Sequence, residues 1–170
     1  MKTFVKIVYI FLAFVFLLYL TIPSTVFPKP PPDSIQSGEP ADTEDPNRRA
    51  YFTDYTREEV ISFYKVQVGL SLPAFLLLRL NYSPEDAQGI IRDQTRSTFL
   101  EELTYPLRDS LYINGFEPKE AKDVIWYKGK YYRQKITIKY VQNGVVPRVT
   151  IALGTIALSW FLFKQYLSGV

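Results

Sequence analysis

An α+β fold is what this 170-residue sequence predicts: a small single domain with two or three helices and a short, mainly antiparallel sheet, flanked by two transmembrane helices. Three observations carry that prediction. Apolar runs occupy residues 4–22 and 149–167, a helix-start signal begins at Thr56, and residues 124–141 are rich in aromatic and β-branched residues around a Lys-Gly turn.

Each apolar run is long enough to cross ~30 Å of hydrocarbon at ~1.5 Å per helical residue. The first carries one charge, Lys6, near its end, and the second is uncharged until Lys164. Pro147 suits a first helical turn, and Arg148 can keep its head at the interface. The alternative for the second run is a buried or interfacial helix, and for the first a cleaved secretory signal. No small-residue cleavage site follows the first run, so an uncleaved signal anchor is the favoured reading. The chain accordingly divides into a signal anchor at 1–22, a Pro-rich acidic spacer at 23–47, an extracytoplasmic α+β domain at 48–141 and a C-terminal transmembrane helix at 147–167.

Charge sets the expected orientation. Of 20 Lys and Arg, only Lys2, Lys6 and Lys164 lie outside residues 23–148, whereas all 17 Asp and Glu lie inside that stretch. The middle is therefore balanced at 17 against 17, and the net charge of +3 sits at the ends. Basic flanks stay in the cytoplasm, which predicts a two-pass cell-membrane protein with both termini cytoplasmic and the central domain outside. A pI near 9.0 arising this way is no nucleic-acid signature, and nucleic acid is not an expected partner.

The sequence contains no Cys and no His. An extracytoplasmic domain without disulfides must fold on its core alone. The usual ligands of zinc, haem, iron–sulfur and copper centres are missing, and Ser-His-Asp or Cys-His catalysis is excluded. No cofactor or metal is expected.

Residues 23–47 hold seven prolines, five acids and one Lys, a composition that predicts an extended, mobile spacer. Next, Thr56-Arg57-Glu58-Glu59 is a capping box, and Val60, Ile61, Tyr64 and Val68 recur at helical spacing, predicting a helix over 57–68 closed by Gly69. Residues 75–80, nearly all apolar, read as a central strand buried on both faces. Ser83-Pro84-Glu85-Asp86 predicts a second helix to about Thr95. Phe99, Leu103 and Leu107 have helical spacing, but the threonines around them and Pro106 weaken it. Asn114-Gly115 fits a helix cap or a hairpin turn, and we favour a helix over 106–113 capped by Gly115. Residues 124–141 read as a hairpin turning at Lys128-Gly129, with Tyr132, Ile136, Ile138 and Tyr140 on the core face and Arg133, Lys135, Thr137 and Lys139 on the other.

That second face supplies the candidate site. Lys128, Lys130, Arg133, Lys135 and Lys139, interleaved with Tyr131 and Tyr132, form a cationic run without an acid. Only residues 142–146 separate the hairpin from the second anchor, which predicts that the patch lies beside the bilayer. It could rest on anionic lipid headgroups, receive the acidic spacer (Asp33, Glu39, Asp42, Glu44, Asp45) of this or another copy, or bind an anionic polymer or a protein partner. Against these stands a solvated strand face whose lysines prevent edge pairing.

In the second apolar run, Ala152, Gly154, Thr155 and Ser159 are small enough to permit close helix packing, against Phe11, Phe14, Phe16 and Leu17 of the first. For catalysis, Glu58/Glu59, Asp93, Glu101/Glu102 and Asp109 are the available carboxylates, and no spacing marks a pair. Asp93 and Arg96 read as a surface ion pair. The expected function is a non-catalytic, membrane-tethered interaction or assembly module of a cell-envelope complex, partnered by the bilayer and by a protein or a second copy. The alternative is a small carboxylate-dependent enzyme acting on envelope polymer.

Overall fold

A computed structural model describes residues 2–24, 26–70, 72–92 and 96–168. The chain forms two compact units, one of Met1–Ser24 with Asn143–Val170, the other Thr25–Gln142.

The first unit is a helix pair, α1 (Lys2–Thr21) and a last helix, α5 (Val145–Ser168). Both are long and apolar enough to cross a membrane. They run antiparallel: Arg148, at the start of α5, donates to the Ile22 carbonyl just past the end of α1, while Tyr9 Oη lies 2.6 Å from Ser159 Oγ and donates to the Ile156 carbonyl at 2.8 Å. Tyr9, Ala13, Phe16 and Leu20 form the less exposed line of α1, a spacing of four, three and four that suits a helix seam.

The second unit contains β1 (Ile35–Gln36), α2 (Pro40–Thr43), β2 (Arg48–Thr53), α3 (Arg57–Gly69), β3 (Leu78–Tyr82), α4 (Ala87–Ile90), β4 (Phe99–Thr104), β5 (Asp109–Phe116), β6 (Ile125–Tyr127), β7 (Lys130–Tyr132) and β8 (Gln134–Gln142). Six strands make one sheet in the order β1-β2-β8-β5-β4-β3, antiparallel throughout, and β6 pairs with β7 in a separate ribbon. The fold is therefore α+β with an antiparallel sheet. Among the described residues there are five α-helices rather than two or three, and of the three in this unit α3 alone exceeds one turn.

The principal core lies between one sheet face and α3. Tyr51, Phe99, Leu103, Leu111, Ile113, Ile136, Ile138 and Tyr140 project from β2, β4, β5 and β8 onto Val60, Ile61 and Tyr64 of the helix. Alternation on β8 follows the sequence pattern, and α3 starts where the capping box sets it: Thr56 accepts from the Glu59 amide, while Glu59 accepts from the Thr56 amide at 2.7 Å. The opposite face carries a smaller core of Ala87, Ile91 and Leu100.

Four expectations are overturned. Residues 75–80 are no buried central strand: a short 3₁₀ turn at Ala74–Leu76 leads into β3 at the sheet edge, and Phe75, Leu78 and Leu80 are exposed. The helix expected over 106–113 is strand β5, paired on both sides, with Pro106 in the turn before it. Gly115 caps no helix. It sits opposite Phe99 in the sheet, where a Cβ would overlap the Phe99 ring. The helix expected from Ser83 is a 3₁₀ turn (Pro84–Asp86) and α4, followed by Arg92 at a left-handed φ of 65°; Asp93 and Thr95 lie outside the described residues.

The fourth correction concerns the spacer. Residues 35–43 are folded, because β1 extends the sheet beside β2 and α2 follows it, with Ser37 and Asp42 buried. Ser37 donates its amide to the Ala50 carbonyl at 2.9 Å, continuing the ladder. Low hydrophobicity does not prevent this, since an edge strand docks through backbone hydrogen bonds.

Candidate interaction site

The hairpin turns at Lys128 and Gly129, both left-handed at φ 50° and 79°, the backbone that a two-residue turn between twisted strands requires. Its ribbon stacks on the end of β2: Tyr127 lies 4.2 Å from Phe52 between ring centroids, and Tyr127 Oη accepts from the Gly38 amide at 3.0 Å. Thr53 of β2 is in register with Gln134, the first residue of β8, whereas Arg48 is in register with Lys139. The ribbon therefore sits at one end of the sheet, and Gln142, where the chain leaves, at the other. At ~3.3 Å per residue, β8 separates them by about 26 Å. The cationic residues are therefore spread along the sheet: Lys128 and Lys130 lie in the hairpin ribbon, whereas Lys139 lies three positions from the exit end of β8.

The cations are also engaged. Lys135 Nζ lies 2.7 Å from Glu39 Oε2 and 2.7 Å from Asp42 Oδ2, so the segment that receives this face is the acidic stretch of the same chain. Burial alone would depress the Lys135 ammonium; hydrogen bonds to Asp42 and Glu39 outweigh it and hold the pKa above the ordinary lysine value. Lys139 Nζ donates to the Ile90 carbonyl at 2.7 Å, the last of α4, and Arg48 Nη1 to the carbonyl of Ile91, its C-cap, at 3.0 Å. Lys130 donates to Asp54 at 3.0 Å, which lowers the Asp54 pKa and raises that of Lys130, and Arg133 donates to Glu117 at 2.7 Å. Lys128 lies 5.4 Å from the Tyr127 ring centroid. The residues of one strand face thus go to separate partners, and they do not form a single open cationic surface.

Tyr131 differs from the cations. Its cross-strand neighbour is Trp126, 6.4 Å away in an edge-to-face arrangement, and both rings are exposed, Trp126 at 68%. The ribbon thus carries an aromatic pair outward, flanked by Lys128 and Lys130. Trp126 lies in the predicted hairpin, but sequence reasoning passed over it because strand alternation alone does not tell which face of a two-stranded ribbon is left uncovered.

The expected small-residue stripe of α5 is split. Ala152 is buried and Ser159 half-buried against Tyr9, whereas Gly154 and Thr155 are exposed, with the Thr155 hydroxyl returned to the Ile151 carbonyl at 2.9 Å. The residues at positions 152, 156, 159 and 163 make the seam, and Trp160 and Phe163 pack on the Tyr9 ring. Phe11 and Phe14 of α1 are exposed, and Phe16 and Leu17 half-buried.

The carboxylates weighed for catalysis take structural positions. Glu101, fully buried, receives Arg57 Nε at 2.6 Å and Arg79 Nη2 at 2.8 Å, and Arg79 also holds Glu58 at 3.0 Å, keeping its carboxyl below the usual range. Glu102 faces the opposite side of the sheet, where Tyr82 donates at 2.5 Å and Ser110 also donates; that bond to Glu102 first, then burial, pushes the Tyr82 phenol up to about 12. Glu101 and Glu102 therefore do not converge. Asp109 is 3.5 Å from Arg108, and Arg96 pairs with Asp123 at 3.0 Å; its expected partner Asp93 lies outside the described residues. Comparison with family models, curated proteins and solved structures finds no match to this chain.

Proposed function

We propose that this chain is a two-pass, cell-membrane-tethered interaction or assembly module of a cell-envelope complex, displayed outside the cytoplasm and acting through the exposed face of its β6–β7 ribbon. The observation that carries the reading is the Trp126–Tyr131 pair, held outward on a ribbon with a rigid two-residue turn, at the end of the domain remote from both of its chain connections. Exposed Trp and Tyr with adjacent cations are the residue types that anchor protein interfaces, because they bury much surface at little entropic cost. The partner is a protein, another copy of this chain included. Lys128 and Lys130 form its rim; Lys135 and Lys139 hold the domain together. The antiparallel pairing of α1 and α5 supports termini on one side, and the basic residues Lys2, Lys6 and Lys164 support that side being the cytoplasm.

A photoreactive phenylalanine analogue at position 126, irradiated in intact membranes, tests this. The expected product is a discrete adduct larger than the 19.7 kDa chain, lost when Tyr131→Ala is added. Twice that mass identifies a second copy. Recovery of monomer alone refutes the reading. For orientation, Lys128→Cys should react with a membrane-impermeant maleimide in intact cells, and labelling only after lysis would reverse the assignment.

A further inference from the structure

We infer that the end of the domain opposite the ribbon is seated in the membrane interface, among lipid headgroups and the first acyl carbons. This rests on the reading of α1 and α5 as membrane spans. Both chain connections of the domain lie at that end: Val26 and Phe27 line a cavity of about 220 Å³ together with Tyr140, Leu111 and Val68. Only residues 22–25 separate α1 from Val26, and only Asn143 and Gly144 separate β8 from α5. With tethers this short, a bilayer spanned by both helices comes within reach of this end of the domain.

The surface there is apolar where a water-facing surface would be polar. Tyr105 Oη donates to the Val68 carbonyl at 3.3 Å and the Leu72 carbonyl at 3.2 Å, so the end of α3 and the loop beyond it stand beside the β4–β5 turn. Leu70 and Phe75 are each 82% exposed, and Val26, Val66 and Leu107 project from the same end. From Leu70 to Leu78 the chain carries no charge. Leu107 occupies the turn with φ 62°, a conformation that Gly or Asn adopts more cheaply. An exposed aliphatic residue at a strained turn tip is unfavourable in water and favourable at the acyl boundary. A protein partner would cover these side chains equally well, but the two tethers point to lipid.

The sequence has no Cys, so single cysteines can carry an environment-sensitive fluorophore in the otherwise unchanged full-length protein. Leu70→Cys, Phe75→Cys, Lys128→Cys and, in α1, Leu12→Cys would each be labelled and reconstituted into phosphatidylcholine vesicles with and without lipids bearing a shallow quencher. The labels at 70 and 75 are expected to shift to the blue and lose emission to the quencher, with no such change at 128 and strong protection from water at 12. Labels at 70 and 75 that behave like the one at 128 overturn the inference while a lipid-buried label at 12 leaves the spans intact. Labels at 70 and 75 shielded from water but untouched by quenching lipid also overturn it, in favour of a protein cover. A water-exposed label at 12 overturns the membrane reading and this inference with it.

Discussion

Replacing Lys135 by alanine tests whether the cationic strand face is structural. The side chain is 19% exposed and its partner Asp42 only 3%, whereas Glu39 is 55% exposed. Removing one member of a buried ion pair costs ~3–5 kcal/mol when the other is stranded. Glu39 rehydrates where it stands, so only Asp42 is stranded. Asp42 lies on one-turn α2 next to the two-residue strand β1, a segment that can lift away and hydrate it. Local opening therefore caps the penalty, and we expect about 2 kcal/mol. At ~1.4 kcal/mol per decade, that is roughly a 30-fold rise in the opening equilibrium of the β1–α2 segment. Amide hydrogen exchange on the full chain in detergent reads this directly, with Ser37, whose amide is bonded to Ala50, as the reporter. Lys128→Ala is the control: its contact is a ring face on an exposed turn, and exchange at Ser37 should not change. Equal exchange in the two variants would refute the assignment of Lys135 as the clamp on the acidic segment.

Two further outcomes follow from the buried carboxylates. Glu101→Gln removes the charge shared by Arg57 and Arg79; because those side chains are about one-third exposed and can rehydrate, the expected loss is discounted to ~2–3 kcal/mol, or about 10 °C in the Tm of the domain followed by near-ultraviolet circular dichroism. The Tyr82 phenol, raised to about 12 from an unfolded value of ~10, favours the fold fully below pH ~10 and loses that contribution as pH rises through 12. Burial also raises the phenols of Tyr51, Tyr64, Tyr105 and Tyr112, so alkaline absorbance should show one late-titrating tyrosine fewer in Tyr82→Phe, not the loss of all of them.

What the sequence revealed, and what it hid, divides by the range of the interaction. The capping box joins Thr56 to Glu59, and the Lys128-Gly129 turn joins adjacent strands, so each is written in a few consecutive letters. Alternation on β8 is local in the same sense. Phe99 and Leu103 misled because a spacing of four keeps residues on one side of a strand as well as of a helix, and both point into the core from β4. The apolar run at 75–80 misled because composition does not distinguish a central strand from an exposed edge. Arg57 and Arg79 are 44 and 22 positions from Glu101, and Lys135 is 96 from Glu39. No pattern in a single sequence marks such pairs, so the cations of β8 read as a surface when they are fasteners.

Those fasteners bear on how a domain can be held between two helices. Such an insertion requires its two connections to lie close together, and each unit meets this requirement separately: Arg148 reaches the Ile22 carbonyl just past α1, and Val26 shares a cavity with Tyr140. In the sheet, β2 and β8 are first and last of the long strands yet pair side by side, and β1 extends that pair at the edge. The N-terminal part of this arrangement, residues 35–43, is too poor in aliphatic side chains to fold on burial alone. It is fixed instead by ladder hydrogen bonds to β2 and by Lys135, supplied by the strand that leads out to the second helix. The 17 acids and 17 cations of residues 23–148 thus include pairs between distant parts of the chain, Arg57 and Arg79 with Glu101 and Lys135 with Glu39 and Asp42. On the readings proposed above, the exposed aromatic ribbon at one end and the exposed aliphatic surface at the other are what remain for a protein partner and for lipid.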